Sequence, residues 1–176
     1  MSPEARHAVY RHVVAAVKGA VTGESVPELP DLPELDATVG VFVTLTKNGE
    51  LRGCIGRPYP DHPLRELLGE VAADAAVSDP RFPPVTSKEL AALEYEVSIL
   101  TIPRAINPND LEVGRQGAYI RRGAHRGLLL PQVATDWKMN RIQFLEALCH
   151  KAGLPGNAWQ DPDTVVEAFE AEVFGE

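Results

Sequence analysis

The residues with the most chemical potential in this 176-residue chain sit in one short run, Leu51-Arg52-Gly53-Cys54-Ile55-Gly56. A cysteine flanked by two glycines is open to close approach by a ligand or a second backbone, because glycine carries no side chain and tolerates bulges and positive φ. With Leu51 and Ile55 turned into a core, strand alternation puts Arg52 and Cys54 together on the opposite face, about 6–7 Å apart. A guanidinium at that range favours the thiolate, the form in which cysteine is a nucleophile. The plain alternative is packing, since unbridged cysteine is among the most buried residue types. Cys149 falls at helical spacing with Leu145 and Leu148 and reads as core.

Three further residues could complete such a site. Asp79 and Arg81 flank Pro80 in Ser78-Asp79-Pro80-Arg81-Phe82-Pro83-Pro84-Val85. Arg81 could grip a carboxylate or phosphate on a small anionic ligand with Asp79 orienting it, or the pair could simply pin a stiff loop to a sheet. Glu96 alternates with the apolar face of its segment, either solvated or turned toward Arg52 or Arg81. A nucleophilic cysteine also needs a base or a positioned cation. Of the five histidines, His62 lies nearest to Cys54 along the chain; His7 and His12 belong to the first helix, and His125 and His150 lie far downstream. No Ser/His/Asp spacing, phosphate loop, dinucleotide fingerprint or zinc spacing is present, so no metal or cofactor is assigned.

The elements that must position these residues follow from local pattern. Ser2-Pro3-Glu4 starts a helix, with a capping hydroxyl, a proline at the first helical position and an acid in the first turn. Val9, Val13, Val17 and Val21 form its apolar stripe and Gly23 stops it. Residues 24–38, with three prolines and five acids, read as a surface connection. Val39 to Thr46 and Leu51 to Gly56 flank an Asn48-Gly49 turn, which predicts a hairpin with Cys54 on its second strand. A helix runs from Asp61-His62-Pro63 to Val77. Residues 78–85 cannot be helical, because three prolines remove donors. Thr86 and Glu89 form a capping-box pattern for a short helix.

Leu93 to Thr101 alternates as a strand. A second hairpin pairs Ala118–Arg122 with Arg126–Leu130 through Gly123-Ala124-His125, and Pro131 ends it. Arg115, Arg121, Arg122, His125 and Arg126 make this region a positive patch that could dock an acidic partner or a nucleotide phosphate. Asn140 with Gln143 opens a helix whose apolar side is Ile142, Leu145, Leu148 and Cys149. Residues 164–174 fit either a helical or a strand face.

Composition bounds the rest. A hydrophobic fraction of 44% and a charged fraction of 24% belong to a folded α+β domain, one unit over 1–176. A net charge of -8 disfavours general nucleic-acid or anionic-membrane binding. No apolar run reaches the ~18 residues of a membrane span. Two cysteines outside any CxxC pair fit a reducing compartment, hence a cytoplasmic location.

The blocks Gly40-Val41-Phe42-Val43-Thr44-Leu45, Leu51-Arg52-Gly53-Cys54-Ile55-Gly56, Asp79-Pro80-Arg81-Phe82-Pro83-Pro84-Val85 and Glu96-Val97-Ser98-Ile99-Leu100 together resemble the AMMECR domain family. So do Gly127-Leu128-Leu129-Leu130-Pro131-Gln132-Val133 and Lys151-Ala152-Gly153-Leu154-Pro155 with Trp159. The resemblance implies a mixed, largely antiparallel sheet flanked by helices, with a larger and a smaller lobe, and a strand for the last segment. It implies protein A of the AmmeMemoRadiSam set, whose expected partners are a Memo-type protein and a radical S-adenosylmethionine protein. It also implies that the cysteine motif, here Arg52, Gly53, Cys54 and Gly56, is an active or binding site. Two roles stay open: a component of a modification pathway with Cys54 as its reactive thiol, or a non-catalytic adaptor. Relatives often carry His-Gly-Leu where this chain has Gln116-Gly117-Ala118, and Gln116 cannot titrate.

Overall fold

The computed structural model describes residues 1–175, and the chain divides into two compact units. The first comprises Met1–Ile99 together with the C-terminal residues from Glu172, and the second Leu100–Ala171. Among the described residues no helix is long and apolar enough to cross a membrane.

In the first unit, α1 spans Pro3–Thr22 and is capped as the sequence requires: the Ser2 hydroxyl accepts from the Ala5 N–H, and Gly23 closes the helix at φ 79. Its stripe of Val9, Val13 and Val17 is buried. The connection that follows is not bare loop. Pro33–Asp36 forms a 3-10 turn that seats Leu35 in the core, a single apolar anchor too isolated to show as a period. Strands β1 (Gly40–Lys47) and β2 (Glu50–Arg57) pair antiparallel around Asn48 and Gly49, both at positive φ as a tight hairpin turn demands.

Helix α2 (Leu64–Val77) buries Leu67, Leu68, Val71 and Ala75 in a core shared with α1 and the inward residues Val41, Val43 and Leu45. The capping-box pattern at Thr86 yields only a 3-10 turn at Leu90–Ala92, though Glu89 does accept from the Thr86 N–H. Strand β3 (Leu93–Leu100) lies beside β1, which leaves β2 at the edge of the sheet.

The second unit holds β5 (Gln116–Arg122), β6 (His125–Leu129) and most of β7 (Val165–Gly175), all antiparallel, with the two-residue strand β4 (Arg104–Ala105) on β7. The β5–β6 turn is Gly123-Ala124 alone, so His125 belongs to the strand rather than the turn. Pro131 does end β6, and in doing so starts the short helix α3 (Pro131–Asp136), where its missing N–H costs nothing. Helix α4 (Arg141–Lys151) carries the full capping box between Asn140 and Gln143. Its buried face is Phe144, Leu145, Leu148 and Cys149; Ile142, assigned to that face by the sequence, is 54% exposed. The last segment is a strand, and the fold is α+β with a largely antiparallel seven-stranded sheet.

Candidate functional site

The hairpin register decides where Cys54 points. Thr46 faces Leu51 and Leu45 faces Gly53, so Arg52 is the extra residue of a β-bulge. Beyond the bulge Thr44 faces Cys54 and Phe42 faces Gly56. Val43 and Leu45 are buried against α2, which puts Gly53 and Ile55 on the core side and Cys54 with Thr44 on the other. The Cys54 Sγ lies 3.3 Å from the Thr44 Oγ1, either atom able to donate, and the cysteine is half-buried.

Both glycines of the motif are explained by packing. A Cβ on Gly53 would sit 2.0 Å from the Ala75 backbone oxygen, so α2 presses directly on the strand there. A Cβ on Gly56 would sit 2.2 Å from the Phe42 ring.

Because β2 is an edge strand, the outward N–H and C=O of Cys54 find no partner strand. The Asp79–Arg81 pair takes that place. The Cys54 N–H donates to Asp79 Oδ2 at 2.9 Å, and Arg81 Nη2 donates to the Cys54 carbonyl at 3.3 Å. Arg81 in turn holds the carboxylate with Nε on Oδ1 at 3.0 Å and Nη2 on Oδ2 at 2.7 Å, and its own N–H donates to Oδ1. An ion pair thus substitutes for a strand, satisfying one donor and one acceptor and blunting the edge. Asp79 is buried, and hydrogen bonds from Arg81, opposed by burial and joined by those from the Cys54 and Arg81 backbone, hold its carboxyl far below the usual aspartate range. The same pairing raises Arg81, with the neighbouring Cys54 adding to the effect.

The Arg52 guanidinium is engaged by Glu89 and Pro83. Its Nε and Nη2 fork onto the two oxygens of Glu89 at 3.0 and 3.2 Å, and Nη1 donates to the Pro83 carbonyl at 2.9 Å. Leu51 is 42% exposed rather than in the core, so the alternation that joined Arg52 to Cys54 is broken by the bulge between them. Glu89 also accepts from Lys47 Nζ and from the Thr86 N–H and hydroxyl. These bonds, led by Arg52, hold its carboxyl well below the ordinary glutamate range.

Glu89 therefore ties the proline loop to both strands of the hairpin. Glu89→Gln, which keeps the shape and loses the charge, is expected to cost about 1–2 kcal/mol in urea unfolding. The depressed carboxyl contributes stability above the unfolded glutamate value near 4.3, and the contribution is lost as pH falls through the folded value. The gap between wild type and Glu89→Gln should accordingly narrow below about pH 4.

The Arg52 and Arg81 guanidiniums bond Glu89 and Asp79, and Glu96 lies on β3. It lines a surface hollow of about 210 Å³ with Thr44, Thr46, Glu94, Tyr95 and Gly175. His62 is exposed with its Nδ1 2.7 Å from the Asp61 carboxylate, which raises its pKa. Sequence reasoning missed Thr44 and Glu89 as neighbours of the motif.

In the second unit the arginine-rich hairpin is largely neutralised: Arg115 pairs with Glu112 and Glu170, Arg121 with Glu167, and Arg122 with Asp161. His125 Nδ1 lies 3.1 Å from the Ala152 carbonyl. Gln116 accepts from the Glu112 N–H through its amide oxygen, a structural bond. Cys149 is fully buried; burial raises its thiol, partly offset by N–H bonds from Trp159 and Ala158. Among the described residues no group of three or more His, Cys, Asp or Glu is placed to hold a metal ion.

Comparison with known proteins agrees with this architecture. A protein of Methanothermobacter thermautotrophicus is 46% identical over 170 residues, covering 92% of this chain and 88% of the relative. Protein TK0174 of Thermococcus kodakarensis is 47% identical over 174 residues, covering 92% and 85%. The crystal structure of the uncharacterized protein PH0010 from Pyrococcus horikoshii superposes with a TM-score of 0.88 at 42% identity, over 96% of this chain and 89% of that one. The family description AMMECR1 matches residues 7–174, and the chain belongs to the AMMECR1 family.

Proposed function

We propose that this protein is a thiol-bearing component of a cytoplasmic modification pathway, with Cys54 as the group that attacks or carries a small substrate. The observation that carries the reading is the half-buried Cys54 sulfur, 3.3 Å from the Thr44 hydroxyl on the side of the sheet away from α2. A hydroxyl in that position can donate to a thiolate and stabilise it. The Asp79–Arg81 pair then has a positioning role: it fixes the strand backbone at the nucleophile from the edge, so that the sulfur is held without a partner strand. Arg52, Gly53 and Gly56 support the same strand. On this reading none of them touches substrate, and Glu96, which lines the same hollow as Thr44, meets one.

The test is alkylation by iodoacetamide at pH 7 with peptide mapping. Cys54 in the folded protein is expected to react about ten times faster than in the urea-unfolded chain, and Thr44→Val to remove most of that gain. Equal rates in the folded and unfolded chain would remove the reactive thiol.

A second reading draws on one specific observation. Both arginines beside the motif already pair with carboxylates, Arg52 with Glu89 and Arg81 with Asp79. On that reading the protein is an adaptor for a Memo-type or radical S-adenosylmethionine partner. Co-purification with such a partner that survives Cys54→Ser and is lost in Arg52→Glu separates the two.

A further inference from the structure

The charge of the chain is divided unevenly. The first unit carries nine Lys and Arg against seventeen Asp and Glu, and so the whole net charge of -8; the second carries eight against eight. Within the neutral unit, the corner between α3 and α4 breaks local rules at successive positions. The corner is a Schellman ending: the Met139 N–H donates to the Ala134 carbonyl and the Lys138 N–H to that of Thr135. The left-handed position of this motif normally holds glycine, but here Lys138 adopts it at φ 50. Arg141 occupies the first helical position of α4, where the helix dipole disfavours a cation. Just before them Trp137 is 76% exposed, and just after them Ile142 is 54% exposed.

Lys138 and Arg141 run against local backbone preference, and Trp137 and Ile142 leave most of their surface to solvent. Among the described residues Lys138 and Arg141 form no ion pair, in contrast to Arg115, Arg121 and Arg122. Asp136 is the sole acid from Pro131 to Gln143. Concentrated departures from local preference mark a surface selected for something other than stability. Exposed tryptophan with cations nearby in the chain is the composition of interface anchors. The backbone beneath is rigid, since the Asn140–Gln143 capping box and the Schellman bonds fix the corner from both sides.

We propose that the α3–α4 corner, Trp137-Lys138 with Arg141-Ile142, is a docking surface for an acidic protein segment that carries an apolar side chain. Charge complementarity selects that occupant: the apolar pair takes the side chain and the two uncompensated cations take the flanking carboxylates. An anionic membrane is disfavoured, because stable adsorption needs several basic residues or a longer apolar face, and the chain as a whole is at -8.

The test is a nuclear magnetic resonance titration of the full-length protein with the acetylated, amidated hexapeptide Asp-Glu-Phe-Asp-Glu-Leu. The chain has two tryptophans, Trp137 and Trp159, so their indole signals are assigned by Trp137→Phe. The Trp137 indole is expected to shift saturably while that of Trp159 stays. The Lys138→Glu/Arg141→Glu double variant should bind about ten-fold more weakly, and added salt should weaken the wild type. Lys138→Gly supplies a readout that a structural role would not give: it should melt at a higher temperature and yet bind less tightly. The proposal is overturned by any of three results. These are no Trp137 shift at millimolar peptide, an equal shift with the Asn/Gln analogue of the peptide, or a Trp137 response to phosphatidylserine vesicles and not to the peptide.

Discussion

Gly53→Ala is expected to lower the unfolding free energy by about 3 kcal/mol or more, among the largest effects of any single methyl group in this chain. The added carbon would lie 2.0 Å from the Ala75 carbonyl oxygen and 3.2 Å from its carbon. Both are helix backbone, so relief requires α2 to withdraw from the sheet and opens the core around Val71 and Ala75. Gly56→Ala is the control. Its carbon would meet the root of the Phe42 ring, a partly exposed side chain that must leave its rotamer to make room, and the cost should be smaller, about 1–2 kcal/mol. Urea midpoints of the two variants measure the difference. Equal effects would show that the two glycines serve the strand in the same way, contrary to the packing described.

Asp79→Ala is expected to cost about 2–3 kcal/mol and to loosen the strand at Cys54. Removing the carboxylate strands the Cys54 N–H and leaves Arg81 without its counter-charge. The penalty stays below that of a fully buried pair, because the Arg81 side chain is 52% exposed and water can take over part of its solvation. The pH dependence has a definite sign. The Asp79 carboxyl is held far below its ordinary value in the folded protein, chiefly by Arg81. Its stabilisation is therefore complete above the unfolded value near 3.9 and is lost as pH falls toward the folded value. Thermal melts between pH 6 and pH 2 should show wild type losing stability faster than Asp79→Asn below about pH 4. Amide exchange at Cys54 should also quicken in the variant at neutral pH.

Much of the fold was legible because local signals were strong. Ser2-Pro3 and Gly23 bracket α1, Asn48-Gly49 turns the first hairpin, and Asn140 with Gln143 opens α4; in each case side-chain chemistry satisfies or bends the backbone on the spot. What was hidden depends on partners distant in sequence. Leu35 shows as core only once α1 and α2 exist to receive it. The exposure of Ile142 and burial of Phe144 follow from how α4 is rotated onto its sheet, which a one-stripe reading does not set.

The site was half legible. The motif falls on the second strand of the hairpin, as the Asn48-Gly49 turn required, and the Asp79–Arg81 pairing was one of two roles its residues allowed. The neighbour of Cys54 was not readable. A regular two-residue turn at Asn48-Gly49 would set Thr44 opposite Gly53, and only the bulge at Arg52 moves it opposite Cys54. That single inserted residue also redirects Arg52 away from the sulfur to Glu89 and Pro83. A rule of strict alternation cannot carry an argument through a bulge.

The central claim is that the sulfur of Cys54 can be reached in the folded protein while that of Cys149 cannot. Brief treatment with iodoacetamide under native conditions, read by intact mass and peptide mapping, measures it directly. One adduct is expected, on Cys54, with Cys149 labelled only after unfolding. Adducts forming on both cysteines together, or on neither until the chain unfolds, would contradict it.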